Sequence, residues 1–168
     1  TSKVLEQLNE KGVDGITNMT QENFNYIAAQ AKALRALYYF HLVIVFDQPF
    51  FYNEETIPQD LLAPLTNAPQ ILFWDQLEKD LDEAIPDLKF KSQLADSEYG
   101  RITKGAAKSL LGKALLFKHY YYHVRFDAKG SAEDVADLEK AAEVLREVIN
   151  SNEYDLVVLD LMLPGMDG

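Results

Sequence analysis

The chain has 168 residues, of which 48% are apolar, so it is long enough and apolar enough for one domain with a packed core. Its 27 acidic residues outnumber 16 basic ones and give a net charge of −11, with no basic cluster, which argues against nucleic-acid binding because phosphate neutralisation needs concentrated cations. The lack of cysteine excludes disulfides and thiolate metal sites, and no apolar run approaches the roughly 20 residues of a transmembrane helix.

The first part of the chain predicts a short helix followed by a long one. Residues 3–11 form the short helix, which Gly12 ends. The long helix runs from Gln21 to Phe46 with Thr20 as its N-cap. Two apolar stripes at helical spacing indicate that this helix is contacted from two sides. The stripes are Phe24, Ile27, Ala31, Leu34, Tyr38, His41 and Val45, and Ala33, Leu37, Phe40 and Ile44. His41 is therefore expected in the core.

A long proline-containing loop over residues 47–69 separates this helix from the next. Loops of this length tend to be functional or to lie over the scaffold. The next helix is predicted from Gln70 to Ile85, and Pro86 should end or kink it. Its buried stripe is Phe73, Leu77, Leu81, Ala84 and Leu88.

The second half of the chain predicts two more helices. One starts after Thr103 as N-cap and runs to about His123. Gly105, Ser109 and Gly112 form a row of small residues along it, and the two glycines indicate a very close neighbouring helix. The other opens at Ser131, which with Asp134 forms a variant capping box, and ends at 150–152. Its predicted stripe is Val135, Leu138, Ala142, Leu145 and Ile149. Alternating helices and connections predict an all-α fold of antiparallel pairs.

Two histidines at metal-binding spacing lie on the helix predicted from Thr103 to about His123. His119 and His123 are four residues apart, so both can face one side of a helix. The sequence offers no evident third ligand, so we interpret them as ordinary packed or surface histidines. No metal and no cofactor is predicted.

Four carboxylates lie close together near the end of the helix predicted from Gln70 to Ile85. Paired carboxylates can perform acid–base chemistry. Helical spacing distributes them around the helix, which favours a solvated face. They are Asp80, Asp82, Glu83 and Asp87. No catalytic residue is predicted, and the chain is expected not to be an enzyme.

Aromatic residues give the best candidates for ligand contact. Phe50, Phe51, Tyr52 and Trp74 could stack on a sugar face, or they could pin the loop to the helices. Separately, Asn18-Met19-Thr20 matches the short and common glycosylation sequon.

The last residues differ from the rest of the chain. Leu156-Val157-Val158-Leu159 predicts a short buried strand, and Pro164-Gly165 predicts a turn. We therefore divide the chain into a helical repeat domain, residues 1–152, and a tail, residues 153–168, that is not a complete domain.

Residues 28–156 resemble the SusD/RagB family of outer-membrane nutrient-binding lipoproteins. The resemblance lies in four phrases, of which Gly100 to Phe117, GRITKGAAKSLLGKALLF, is the most specific. The other three are Ala31 to Phe46, Trp74 to Leu88 and Ala141 to Leu156. Asp47-Gln48-Pro49 stands where the family usually has Gly-Asp-x-Pro, so the usual glycine is missing and an altered turn is expected.

This resemblance implies tetratricopeptide-like helix pairs that act as a non-enzymatic scaffold. It also implies contact with a TonB-dependent transporter at the outer membrane or cell surface, and a role in glycan binding. The family's glycan sits largely on segments outside the helix pairs, so no glycan-binding residue is assigned. The lipid-anchor cysteine of the family is not in this sequence.

The tail, residues 154–168, is similar to the third strand and following loop of response-regulator receiver domains. The resemblance places the phosphoacceptor on Asp160. Phosphoryl transfer to aspartate would also need a divalent cation held by further carboxylates, which this sequence does not supply. A receiver-type signalling fragment therefore stays an alternative, as does an engineered or truncated helical domain with no natural ligand.

Overall fold

The computed structural model describes residues 1–56, 66–126 and 128–151. Within these ranges the secondary structure is helical, and the only β-type pairing is an isolated antiparallel bridge between Phe50 and Asn67. The predicted all-α class is thereby confirmed. The α-helices are α1 (Ser2–Lys11), α2 (Gln21–Phe46), α3 (Gln70–Ala84), α4 (Lys104–Lys118) and α5 (Ala132–Asn150).

The helices begin and end where local signals predict. The side-chain oxygens of Thr20, Thr103 and Ser131 accept hydrogen bonds from backbone N–H groups three residues on, at 3.2, 3.2 and 3.1 Å. Such caps satisfy donors that the first helical turn leaves open and contribute about 1 kcal/mol each. Gly12 follows α1 with a φ of +62°, a backbone conformation that glycine adopts readily.

One compact unit comprises residues 1–88 together with 100–102, and in it α3 packs along α2 while α1 packs on α2. The predicted α3 stripe is buried throughout. At Pro86 the α-helix gives way to a 3₁₀ turn, Ile85–Asp87, because proline cannot donate the next helical hydrogen bond.

The two stripes predicted for α2 are buried only in part. Phe24, Ile27 and Ala31 pack together with Leu5 and Leu8 of α1, and Ala33 and Phe40 are buried. Tyr38 and Val45 are 56% and 67% exposed, and His41 is exposed with its Nδ1 2.8 Å from the Leu37 carbonyl oxygen. Expecting His41 in the core was therefore wrong. The buried apolar residues of this helix form an alanine-rich line and are Tyr26, Ala29, Ala31, Ala33, Ala36, Tyr39, Phe40 and Val43. A rule that searches for large apolar residues overlooks the alanines among them.

A second compact unit comprises residues 89–99 and 103 onward, and in it α4 packs along α5. Gly112 lies at their contact, where an added Cβ would come within 2.5 Å of Leu145 Cγ. The predicted close neighbour of Gly112 is thereby confirmed. Beyond Lys118, α4 continues as a π-helical segment, His119–Val124.

The apolar stripe predicted for α5 is only partly buried: Leu138 and Leu145 are half-buried, whereas its other members are exposed. Val135 and Ile149 are 45% and 62% exposed. The buried residues of α5 are Asp134, Asp137, Ala141 and Val148. Two of these positions are acidic, so apolar periodicity could not identify them.

No helix among the described residues has the length and hydropathy needed to cross a bilayer. Two expectations lie outside the described residues and stay predictions. They are the strand and turn after residue 153 and the boundary between residues 152 and 153.

Candidate functional site

A buried arginine connects α2 to α3 and to the loop that joins them. Arg35 is 1% exposed and Asp80 is 0% exposed. Their hydrogen bonds are bidentate, with Nε to Oδ2 and Nη2 to Oδ1 both at 2.6 Å. The same guanidinium also donates to both carboxylate oxygens of Glu54 in the loop. Arg35 therefore anchors the first part of the loop, residues 47–56, to the helix pair.

The solvated face that the sequence predicted for four carboxylates is thus wrong for Asp80. The other three are exposed, as expected, and Glu83 pairs with Lys32 at 2.7 Å. The sequence carried a signal for the burial of Asp80. This residue shares a helical face with Leu77 and Leu81, and Arg35 lies beside the alanine line of α2.

The charged groups in this network shift one another's pKa values. Burial alone would raise the pKa of Glu54, but hydrogen bonds from Arg35 and from the backbone, together with the charges of Arg35 and Lys32, outweigh burial, so this pKa lies below its usual value. Burial raises the pKa of the Asp80 carboxyl, while Arg35 and Gln76 act in the opposite direction by donating to it. The Arg35 pKa is raised because the bonds to Asp80 and Glu54 exceed the penalty of burial. Glu54 is therefore an anionic partner for Arg35 at neutral pH.

Of the four candidate aromatic residues, Phe51 pins the loop to the helices and Trp74 lies in the core. The ring of Phe51 lies 5.6 Å from that of Tyr39 and 5.1 Å from that of Phe73, centre to centre. Tyr39 also donates its hydroxyl hydrogen to the Tyr52 carbonyl oxygen. Trp74 is 1% exposed, and its Nε1 donates to Gln70 Oε1 at 3.3 Å. Trp74 is therefore a core residue that no ligand can stack on, and Phe51 is a half-buried residue that pins the loop.

The other two aromatic candidates remain accessible, since Phe50 and Tyr52 are each 45% exposed. The backbone that carries Phe50 is held by the bridge to Asn67 and by a hydrogen bond of 3.1 Å from the Ala68 N–H to the Pro49 carbonyl oxygen. A ligand at this position would meet a ring on a backbone that is already fixed.

The turn that leads from α2 into this loop is formed without the family's usual glycine. Asp47 has a φ of +66°, in the left-handed region that favours glycine. Its carboxylate accepts a hydrogen bond from the Gln70 side chain, and the Gln48 N–H donates to the Phe46 carbonyl oxygen at 2.8 Å. These contacts hold Asp47 in an uncommon conformation for a residue with a side chain, which costs about 1 kcal/mol or more.

The predicted pair His119 and His123 is met by carboxylates of α5 that sequence reasoning missed. His119 Nδ1 lies 2.6 Å from Asp134 Oδ1, and His123 Nε2 lies 2.9 Å from Asp137 Oδ2. The Asp134 pKa is lowered, because a backbone N–H and the nearby histidines outweigh the effect of burial.

Ligand atoms of His123, Glu133 and Asp137 approach within 4.8 Å of one another, a spacing that a metal ion could bridge. However, the Lys118 ammonium lies between the two carboxylates, 2.9 Å from Asp137 and 3.3 Å from Glu133. A bound cation would have to displace this buried lysine. The group is therefore best described as an ion-pair network that joins α4 to α5.

Two other candidates remain as predictions. Asn18, in the sequon, is exposed with a φ of +59°, and nothing in its surroundings bears on modification. The phosphoacceptor candidate Asp160 lies outside the described residues.

Comparison with solved structures tests the family resemblance. A laminarin-binding SusD-like protein is 29% identical to this chain over 88% of it, with a TM-score of 0.66. The resemblance to SusD-like proteins that the sequence indicated is thereby confirmed. A SusD homologue from Bacteroides thetaiotaomicron superimposes over 93% of the chain with a TM-score of 0.74 and 24% identity. No family model and no curated protein matches the sequence.

Another solved structure, obtained with a xylogluco-oligosaccharide, matches 93% of this chain with a TM-score of 0.65 and 22% identity. At this identity the match shows the shared fold. The chain spans only about a quarter of the relatives' length, covering 26%, 28% and 29% of these three proteins.

Proposed function

We propose that this chain is the helical scaffold of a SusD-like nutrient-uptake protein, and that it takes part in carbohydrate binding without catalysing a reaction. The observation that carries the proposal is the 29% identity, over 88% of the chain, to a protein named for laminarin binding. Matches to other SusD-like structures support the same fold.

The internal anchors suit a scaffold. Arg35 and Phe51 fix the loop after α2 to the helix pair, so any ligand contact that the loop makes would need little ordering on binding. Preorganisation of this kind lowers the entropic cost of association. The buried charges belong to ion pairs, and we assign catalytic chemistry to none of them.

Glycan binding can be tested with affinity electrophoresis and isothermal titration calorimetry against neutral and acidic polysaccharides. We expect the chain to be retarded by at least one neutral glycan and to leave the number of reducing ends unchanged. Binding to none of them would overturn the carbohydrate role, and newly formed reducing ends would overturn the non-enzymatic role.

The finer part of the proposal is contact with a TonB-dependent transporter at the outer membrane or cell surface. Co-expression of this chain with the TonB-dependent transporter encoded beside its gene, if there is one, is the direct test. A complex that survives size-exclusion chromatography in detergent would support it. Separate elution of the two proteins, at concentrations where the transporter is folded, would contradict it.

A further inference from the structure

The C-terminal end of α2 and the following loop enclose a shallow depression of about 390 Å³. Its size falls in the range of small-ligand sites, about 300–1,000 Å³. The described residues that line it are Leu42, Phe46, Gln48, Pro49, Phe50 and Asn67. All of them belong to the first compact unit.

Two aromatic rings of this depression are open to solvent, although large apolar side chains are usually buried. Phe46 is 65% exposed and Phe50 is 45% exposed. Phe46 is the last residue of α2, and the tight turn at Asp47 directs the chain back so that Phe50 follows on the same depression. Exposed aromatic residues that share a concave surface are typical of binding sites.

The polar groups among the described lining residues are side-chain amides. Gln48 and Asn67 are both exposed, and each side chain offers one acceptor oxygen and an NH₂ group with two donors. None of the described lining residues carries a charge, although the chain as a whole has a net charge of −11. This chemistry matches a neutral ligand that has both hydroxyl groups and an apolar face.

We propose that this depression binds one ring of a neutral sugar. The sugar ring packs its C–H surface against both Phe46 and Phe50, and its hydroxyl groups exchange hydrogen bonds with the amides of Gln48 and Asn67. An acidic sugar is disfavoured, because the chain has a large negative charge and this site supplies no cation among its described residues. The inference rests on the proposed carbohydrate role and assigns it a location.

The contacts among the described residues preorganise the site for a sugar. The bridge between Phe50 and Asn67 brings one ring and one amide together across two chain segments. The Asp47 carboxylate ties the turn to Gln70 on α3. Phe51, directly after Phe50, packs into the core and sets the position of the neighbouring ring. A sugar would therefore meet fixed partners.

The test measures binding of laminarin and of a xyloglucan oligosaccharide by calorimetry, with polygalacturonate as the acidic comparison. Phe46→Ala and Phe50→Ala should each weaken binding of the preferred neutral glycan roughly three- to tenfold, because one stacking surface is lost. The double variant should bind more weakly than either. Tyr99→Ala removes a ring that is 66% exposed outside the depression and should leave affinity unchanged.

A second measurement follows the side-chain NH₂ resonances of Gln48 and Asn67 by NMR during the titration. We expect both to shift on saturation with the neutral glycan and to stay in place with polygalacturonate. Because the substituted side chains are exposed, circular dichroism should show an unchanged fold in every variant.

The outcomes separate this inference from the proposed function. If the chain binds a neutral glycan but Phe46→Ala, Phe50→Ala and the double variant bind it equally well, the location is wrong and the carbohydrate role stands. If the chain binds polygalacturonate in preference, the neutral-sugar chemistry is wrong. If it binds no glycan at all, both proposals fail.

Discussion

The two helix pairs bury charge in different ways. In the α2–α3 pair a single guanidinium satisfies two carboxylates, and Asp80 is completely enclosed with it. In the α4–α5 pair the Asp137 carboxylate is shared between the Lys118 ammonium and the ring of His123, and Glu133, a further partner of Lys118, is largely open to water. The planar fork of arginine meets carboxylates bidentately, whereas an ammonium acts as a point charge.

Because of this difference, the two helix pairs should respond differently to removal of their cation. A buried carboxylate that loses its only cation is left uncompensated, which costs far more than loss of an exposed ion pair. The first pair should therefore depend on its cation more strongly than the second.

The largest effect is expected for Arg35→Met. The variant leaves Asp80 buried without its bidentate partner and should lower the free energy of unfolding by about 3–5 kcal/mol. Trp74 is the single tryptophan and is buried in this unit, so its fluorescence during urea unfolding measures the change. Lys32→Met, which breaks the more exposed pair with Glu83, is the control and should cost less than about 1 kcal/mol. Equal losses in the two variants would contradict the assigned role of Arg35.

A smaller loss is expected for the corresponding change in the second pair. Lys118→Met should cost about 2 kcal/mol, because Asp137 keeps the contact with His123. Amide hydrogen exchange of α4 and α5 follows this unit separately from Trp74. If Lys118→Met destabilises its unit as much as Arg35→Met destabilises the other, the contrast between the two networks is wrong.

A third change tests the close helix contact of the second pair. In Gly112→Ala the added methyl meets Leu145, which costs about 1–3 kcal/mol, while alanine restores about 1 kcal/mol of helix propensity. We expect a net loss of about 1 kcal/mol, measured by amide exchange in α4. Adding Leu145→Ala should reduce the penalty from the clash. A Gly112→Ala chain that is more stable than the wild type would show that the helices separate easily.

The smallest effect is expected for the stability of the chain at acidic pH. The Glu54 pKa is lower in the folded chain than in the unfolded chain, so its contribution to stability is present above its usual pKa. That contribution is lost as the pH falls from about the usual value of Glu, near 4.3, through the lowered value in the folded chain. Glu54→Gln should remove this part of the acid sensitivity, seen as a flatter dependence of urea unfolding on pH. An unchanged dependence would mean that Glu54 does not hold the loop.

The aromatic residues of the loop show where sequence reasoning reached its limit. Phe50 and Phe51 are adjacent and chemically identical, yet one ring is 45% exposed and the other packs against Tyr39 and Phe73. Alternation along an extended segment sends neighbouring side chains to opposite sides, but only the position of α3 decides which side is the core. The candidate sugar depression could therefore not be distinguished from a pinned loop by residue type.

Local chemistry alone determined the helices of this protein. Thr20, Thr103 and Ser131 cap their helices through hydrogen bonds that span three residues, and Pro86 acts on its own turn, so these signals do not depend on the rest of the fold. Only the tertiary structure decided that Arg35 and Asp80 belong together, that Asp137 is buried with Lys118, and that Phe46 stays exposed. The physical reason is distance along the chain: a charge becomes favourable in a core only when a partner from another helix arrives, and no local pattern encodes that partner.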